Sequence, residues 1–186
     1  MRTHSVLDQK GFTLVELMIV VAIIAVLAAI FIPAWTKETK HGRYDPEVRA
    51  MFAEIGVKEE GYKSETGAGS YVAATACPTA VPTVAGVDFN AQACATAGGW
   101  AAIRVASTDS TVRCRYTIAA GAANSAGSAP TAPAGSGLPL PANSSTFTAA
   151  WYTLTAECDM DNAGGTNSTF YSASWDPSIT KLNYGL

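Results

Sequence analysis

A lone carboxylate at Glu16, four cysteines and a short string of aspartates are the residues here whose types and spacing could do chemistry. Glu16 stands in Gly11-Phe12-Thr13-Leu14-Val15-Glu16, at the head of LMIVVAIIAVLAAIFI, which runs to Ile32 without another charge. Hydrocarbon cannot solvate an ionised side chain, so such an acid persists only with a partner or a task. Ion pairing is the chemistry open to it. Gly11 is the candidate processing point, because cleavage there would leave the apolar run on the protein. An ordinary export signal carries its small-residue cleavage site after the apolar stretch, and Pro33-Ala34-Trp35-Thr36-Lys37 offers none.

Cys77, Cys94, Cys114 and Cys158 all follow the apolar run, form no C-x-x-C pair and have no histidine near them, so a zinc site is excluded in favour of disulfides. Three connectivities are open. Val112, Cys114, Tyr116 and Ile118 share one face of a strand, as do Tyr152, Leu154, Ala156 and Cys158. That pattern favours Cys114–Cys158 and, by remainder, Cys77–Cys94.

Asp159-Met160-Asp161-Asn162-Ala163-Gly164-Gly165 alternates acids before glycines, which would suit calcium at Asp159 and Asp161. A tight hairpin rich in Asp, Asn and Gly explains the string equally well. Asn143-Ser144-Ser145 and Asn167-Ser168-Thr169 match the glycosylation triplet but read as polar turns. Apart from calcium, no cofactor is implied. With two histidines, no serine elbow and no phosphate loop, the chain is not expected to be an enzyme. Glu59-Glu60 reads as a solvated helix face. Net charge is −3, and no basic stripe with interleaved aromatics supports direct nucleic-acid binding.

The elements that position these residues follow from patterning. Phe12 to Ile32 supplies about twenty apolar residues, enough helix to cross a hydrocarbon core of roughly 30 Å. Residues 12–35 are expected to be that helix, with residues 36–65 an amphipathic second part carrying Val48, Met51, Phe52, Ile55 and Tyr62 on one stripe. Gly42 and Asp45-Pro46 predict a kink or break, with Asp45 capping a restart. Thr66 to Tyr71 reads as the helix exit, and residues 72–99 as a loop pinned by a disulfide. Strands are expected at Trp100–Val105, Thr111–Ile118, Trp151–Cys158 and Thr169–Trp175. The Ala-, Gly-, Ser- and Pro-rich stretch within residues 119–145 reads as an exposed loop of an exported β domain spanning 66–186.

Gly11-Phe12-Thr13-Leu14-Val15-Glu16-Leu17 with its apolar continuation resembles the N-terminal signature of type IV prepilins and the related pseudopilins. The resemblance is close from Lys10 to Pro33 and loose after residue 65. It implies an α+β fold, a long N-terminal α-helix packed on a small antiparallel β-sheet. It also implies a leader at residues 1–11, cut by a membrane prepilin peptidase between Gly11 and Phe12, with Phe12 then N-methylated. Glu16 would pair with the new α-amine of Phe12, on its own or a neighbouring subunit, and Pro33 matches the family's helix-interrupting proline. The implied role is a filament subunit held in the inner membrane, with membrane lipid around its helix, before assembly into a surface pilus. Its partners would be related pilin subunits, the peptidase and an inner-membrane assembly platform. The alternatives are a pseudopilin of a type II secretion system, working in the periplasm, and a minor pilin acting as an adhesive or DNA-binding module.

Overall fold

The computed structural model describes residues 11–66, 69–83, 85–107, 109–123, 132, 134–139, 148–160 and 164–184, with the backbone alone for 33–41. The leader residues before Gly11, and Asn143 and Asp161, lie outside these. Two compact units divide the chain, residues 1–39 and 40–186.

In the first unit, helix α1 (Leu14–Glu65) begins, and its residues from Leu14 to Ile32 form a segment with mean hydropathy 3.1. Apart from Glu16 its side chains are apolar all round, and its large hydrophobic side chains are exposed. A helix without a polar stripe has no face to turn toward water, and this one is long and apolar enough to cross a membrane. The helix starts at a capping box: the Glu16 carboxylate accepts the Thr13 backbone N–H at 2.9 Å, and the Thr13 hydroxyl accepts the Glu16 N–H at 3.3 Å.

Where a kink or break is expected at Gly42 and Asp45-Pro46, α1 runs unbroken through Pro33, Gly42 and Pro46. Asp45 does not cap a restart, because its carboxylate is taken by groups from the far end of the chain. In the second unit α1 is amphipathic as its spacing dictates: Tyr44, Val48, Met51, Phe52, Ile55 and Glu59 are buried at steps of three and four. Near Tyr152, Gly56 permits the close approach, since a Cβ there would lie 3.2 Å from the tyrosine hydroxyl.

Behind α1 stands a five-stranded antiparallel sheet in the order β1-β4-β5-β6-β7, where β1 is Ala74–Cys77, β4 Cys114–Gly121, β5 Trp151–Cys158, β6 Ser168–Ala173 and β7 Asp176–Leu182. A two-stranded sheet pairs β2 (Val87–Asp88) with β3 (Thr111–Val112). This is the α+β, pilin-like layout. Residues Thr111–Ile118, expected as one strand, are divided at Arg113, so β3 and β4 join different sheets. On β4, Cys114, Tyr116 and Ile118 face the core and alternate with half-buried Arg115 and Thr117.

β6 and the first half of β5 are buried on both faces, which the alternation alone does not explain. The segment 134–139 lies on the outer face, with Leu138 packed in a small cluster with Tyr171 and Ala173. It is held by the Thr180 hydroxyl donating to Ser136 O at 2.7 Å and the Trp175 indole donating to Pro139 O at 2.7 Å. Ser136 and Leu138 are therefore not part of an exposed loop, and residues 119–121 belong to β4. The rest of the expected loop, residues 124–131, 133 and 140–145, lies outside the described residues.

Trp100–Val105 is not a strand. Gly98–Ile103 forms a short helix, α2, closed by Arg104 in the left-handed region at φ 53°. Six residues are too few to separate a period of two from one of 3.6, and the buried pair Trp100 and Ile103 sits at the helical spacing. Gly99 decides the matter: a Cβ there would run into the Ala73 carbonyl, so only glycine lets α2 lie this close to the chain entering β1. The Trp100 indole donates to Thr75 O at 2.7 Å, and its ring meets Phe89 edge-on at 5.5 Å.

β7 escaped the sequence reading because it is a polar edge strand. Pro177 and Lys181 belong where no further strand pairs, and Asp176 bonds the Ser178 N–H at 3.0 Å at the hairpin turn.

Candidate functional site

The residues singled out from sequence fall in separate places. Gly11, Phe12 and Glu16 lie together at the start of α1, and Pro33 lies within it. Thr13 brings a carboxylate acceptor and a hydroxyl to one helix turn, with the Thr13 hydroxyl also donating to Glu16 at 2.7 Å. The Thr13-x-x-Glu16 spacing was the available signal for this cap, and the sequence reading passed over it. The cap fixes the Glu16 carboxylate on the first turn, close in sequence to the Gly11–Phe12 bond.

The cysteines pair across elements. Cys114 and Cys158 are directly opposite in the β4–β5 register, with Cα atoms 4.4 Å apart, the close spacing of a non-hydrogen-bonded antiparallel pair. Cys77 at the end of β1 meets Cys94 in the 3₁₀ turn Ala93–Thr96, with Cα atoms 5.6 Å apart. Both distances suit a disulfide.

Calcium finds no support. Among the described residues no three acidic, histidine or cysteine side chains gather into a ligand set. The Asp159 carbonyl oxygen accepts the Tyr44 hydroxyl at 3.1 Å, which ties its loop to α1.

Several acids on α1 carry contacts that sequence reading missed. Glu47 faces the gap between β3 and β4, where Arg113 leaves ladder groups unpaired. Its Oε1 accepts the N–H of Arg113 at 2.7 Å and of Cys114 at 3.2 Å, and the Tyr116 hydroxyl at 3.0 Å. Burial lifts the Glu47 carboxyl above its ordinary range, and the Arg113 amide, the Tyr116 hydroxyl and the Arg113 charge offset only part of that.

Asp45 grips the end of β7, accepting Lys181 Nζ at 2.5 Å and the Tyr184 hydroxyl at 2.7 Å. Burial opposes ionisation, but the hydrogen bonds from Lys181 and Tyr184 and the Lys181 charge win, so its pKa falls below the ordinary value.

Glu59 is fully buried, contrary to the solvated face expected for Glu59-Glu60. The apolar stripe held the clue, since Glu59 lies four residues beyond Ile55 on the same face. Glu60 alone is exposed, and it accepts the Tyr71 hydroxyl at 2.5 Å.

Nothing in this set forms a nucleophile, base and oxyanion cradle. What the geometry offers is an exposed apolar helix with a capped acid at its start, and a separate unit of α1 and sheet locked by acids and cysteines.

That combination defines a class, an apolar helix long enough to cross a membrane followed by an α+β unit. Comparison with known proteins fills it in: residues 7–32 match the model of the prokaryotic N-terminal methylation motif. The fimbrial protein EcpB of Eikenella corrodens is 37% identical over 84 residues, covering 45% of this chain and 46% of the relative. Type IV major pilin protein PilE1 of Neisseria gonorrhoeae is 46% identical over 56 residues, 30% of this chain and 29% of the relative. A fimbrial protein of Pseudomonas aeruginosa is 59% identical over 46 residues, 23% of this chain and 30% of the relative. The chain thus spans less than half the length of these curated relatives. No solved structure matches. The motif and these relatives make part of the chain similar to type IV pilins and fimbrial proteins, and the layout is pilin-like.

Proposed function

We propose that this chain is a structural subunit of a type IV pilus-like filament, stored in a membrane through the first part of α1 and assembled by packing that helix against copies of itself. The observation that carries the reading is coincidence: the methylation motif at residues 7–32 overlies an unburied apolar helix from Leu14 to Ile32 with an acid on its first turn. A fully exposed apolar helix must be covered by lipid or by protein, and a filament core supplies the second.

On this reading a membrane peptidase cuts between Gly11 and Phe12, and the same activity methylates the new α-amine. The amine gives Glu16 a cationic partner in the low-dielectric rod, where an unpaired charge costs several kcal/mol. A neighbouring subunit's amine answers the same need and fixes the axial register. Glu16 must exchange the capping bonds from Thr13 for that pairing, which makes it an assembly residue rather than a purely structural cap. Pro33, which cannot donate to the helix ladder, is where local unwinding during packing would begin. The assembly platform and the final cell-surface location belong to the same proposal.

The test is expression in a piliated bacterial host deleted for its own major pilin, with mass spectrometry of sheared filaments. Gly11→Ala is expected to block the precursor's shift on a gel. Glu16→Ala should be cleaved normally yet yield few or short filaments. Filaments of normal number and length from Glu16→Ala would overturn the pairing, and absence of the protein from sheared filaments would overturn the subunit role.

A further inference from the structure

We propose that Glu59 is a proton-controlled latch, closed when its carboxyl is neutral, that fastens the segment entering β1 to the last turns of α1. It does not depend on the filament reading, since every group involved lies in the unit of residues 40–186.

Two geometric observations carry it. Glu59 is fully buried, and its Oε2 accepts the Val72 N–H at 2.9 Å, the bond that joins the helix to the chain two residues before β1. Its Oε1, also buried, meets no donor among the described residues. A carboxylate in that position lacks the second and third donors that normally stabilise a buried anion. A neutral carboxyl keeps the carbonyl that holds Val72 and carries no charge to solvate.

The surrounding groups do not rescue the anion. Glu60 is adjacent on α1 and adds like charge. Lys63, one turn further on, donates instead to the Tyr71 hydroxyl at 3.0 Å, and Tyr71 donates to Glu60. From β5, Tyr152 packs edge-on against Tyr71 at 4.8 Å, and both phenols stay neutral because burial and the two glutamates raise them. The cation of this cluster is therefore engaged with the outer tyrosine, on Glu60's side.

Burial, opposed only by the Val72 bond and reinforced by Glu60, moves the Glu59 pKa from 4.5 to about 7. The folded chain thus binds a proton that the unfolded chain releases, so folding stability falls as pH rises from about 4.5 to 7 and levels off above. Ionisation drives the carboxylate toward water and releases Val72. The segment so freed leads into β1 and the Cys77–Cys94 closure, so the mobility of this entry segment changes with pH.

Amide hydrogen exchange of the full chain in detergent micelles tests this, with protection factors corrected for intrinsic rates. A carboxyl titrating near 7 loses its neutral form about thirty-fold between about pH 5.5 and 8.5. Val72 protection should fall about ten-fold or more over that range, while the Tyr116 amide in β4 stays within about two-fold. Glu59→Gln, a neutral isostere, should hold Val72 protection constant, and Glu60→Gln should leave the fall in place. Carbon-13 titration of the wild-type Glu59 carboxyl should give a midpoint well above the ordinary carboxylate range, and needs no variant. A pH-independent Val72 amide, a fall that persists in Glu59→Gln, or a carboxyl with an ordinary midpoint would each overturn the latch.

Discussion

Replacing Glu47 by alanine withdraws an acceptor shared by the Arg113 N–H, the Cys114 N–H and the Tyr116 hydroxyl. Tyr116 is fully buried and Arg113 half-buried, so water cannot readily take the carboxylate's place. Each orphaned buried donor costs about 1–3 kcal/mol, and the Arg113 guanidinium 3.5 Å from Glu47 Oε2 loses its counter-charge. The expected loss for Glu47→Ala is about 3–5 kcal/mol, the range for removing one partner of a buried charged network. Glu47→Gln keeps an acceptor oxygen and sheds the cost of burying a charge, so about 1–2 kcal/mol is expected. Tyr116→Phe removes one donor from the same oxygen and should cost about 1 kcal/mol.

Urea unfolding of the full chain in micelles, disulfides intact and followed by tryptophan fluorescence, measures all three. The double variant Glu47→Ala with Tyr116→Phe should cost less than the sum of the single changes, because the hydroxyl has no acceptor left to lose. A loss below about 1 kcal/mol for Glu47→Ala, or strict additivity with Tyr116→Phe, would refute the reasoning. Either result would mean that the β3–β4 gap is stabilised by packing rather than by the helix carboxylate.

Three further outcomes are expected. Asp45 is depressed below 3.8 in the fold, so its grip on Lys181 and Tyr184 is present above that pH and lost as pH falls through the lowered value. Asp45→Asn should remove that acid-dependent loosening of β7, seen as Lys181 and Tyr184 resonances that no longer shift below about pH 4. Non-reducing peptide mapping should recover Cys77 with Cys94 and Cys114 with Cys158. Cys114→Ala with Cys158→Ala should cost about 4 kcal/mol, given a sequence separation of 44 residues.

The sequence carried the large features because their signals are local and dense. Leu17 to Ile32 is apolar at every position, so no tertiary context is needed to read a helix that water will not cover. Strand alternation from Cys114 to Ile118 and from Tyr152 to Cys158 put both cysteines on core faces, and the β4–β5 register sets them opposite each other. The Thr13-x-x-Glu16 cap was equally local and was legible to anyone who looked for it. The elements misread were short or polar: α2 turned on a steric contact between Gly99 and Ala73, and β7 alternates too weakly to announce an edge strand.

The roles of the acids on α1 could not be read the same way. Asp45, Glu47, Glu59 and Glu60 look alike in a charged helical segment, and periodicity gives only the face each occupies. Their partners, Lys181, the Arg113 and Cys114 amides, Val72 and Tyr71, come from distant or non-periodic parts of the chain. A carboxylate's protonation and purpose depend on which donors reach it and how far water is excluded. Patterning settled the membrane-length helix and the sheet behind its second part. Only the packing of that sheet decided which acid is a cross-link, which is a clamp and which is a buried proton.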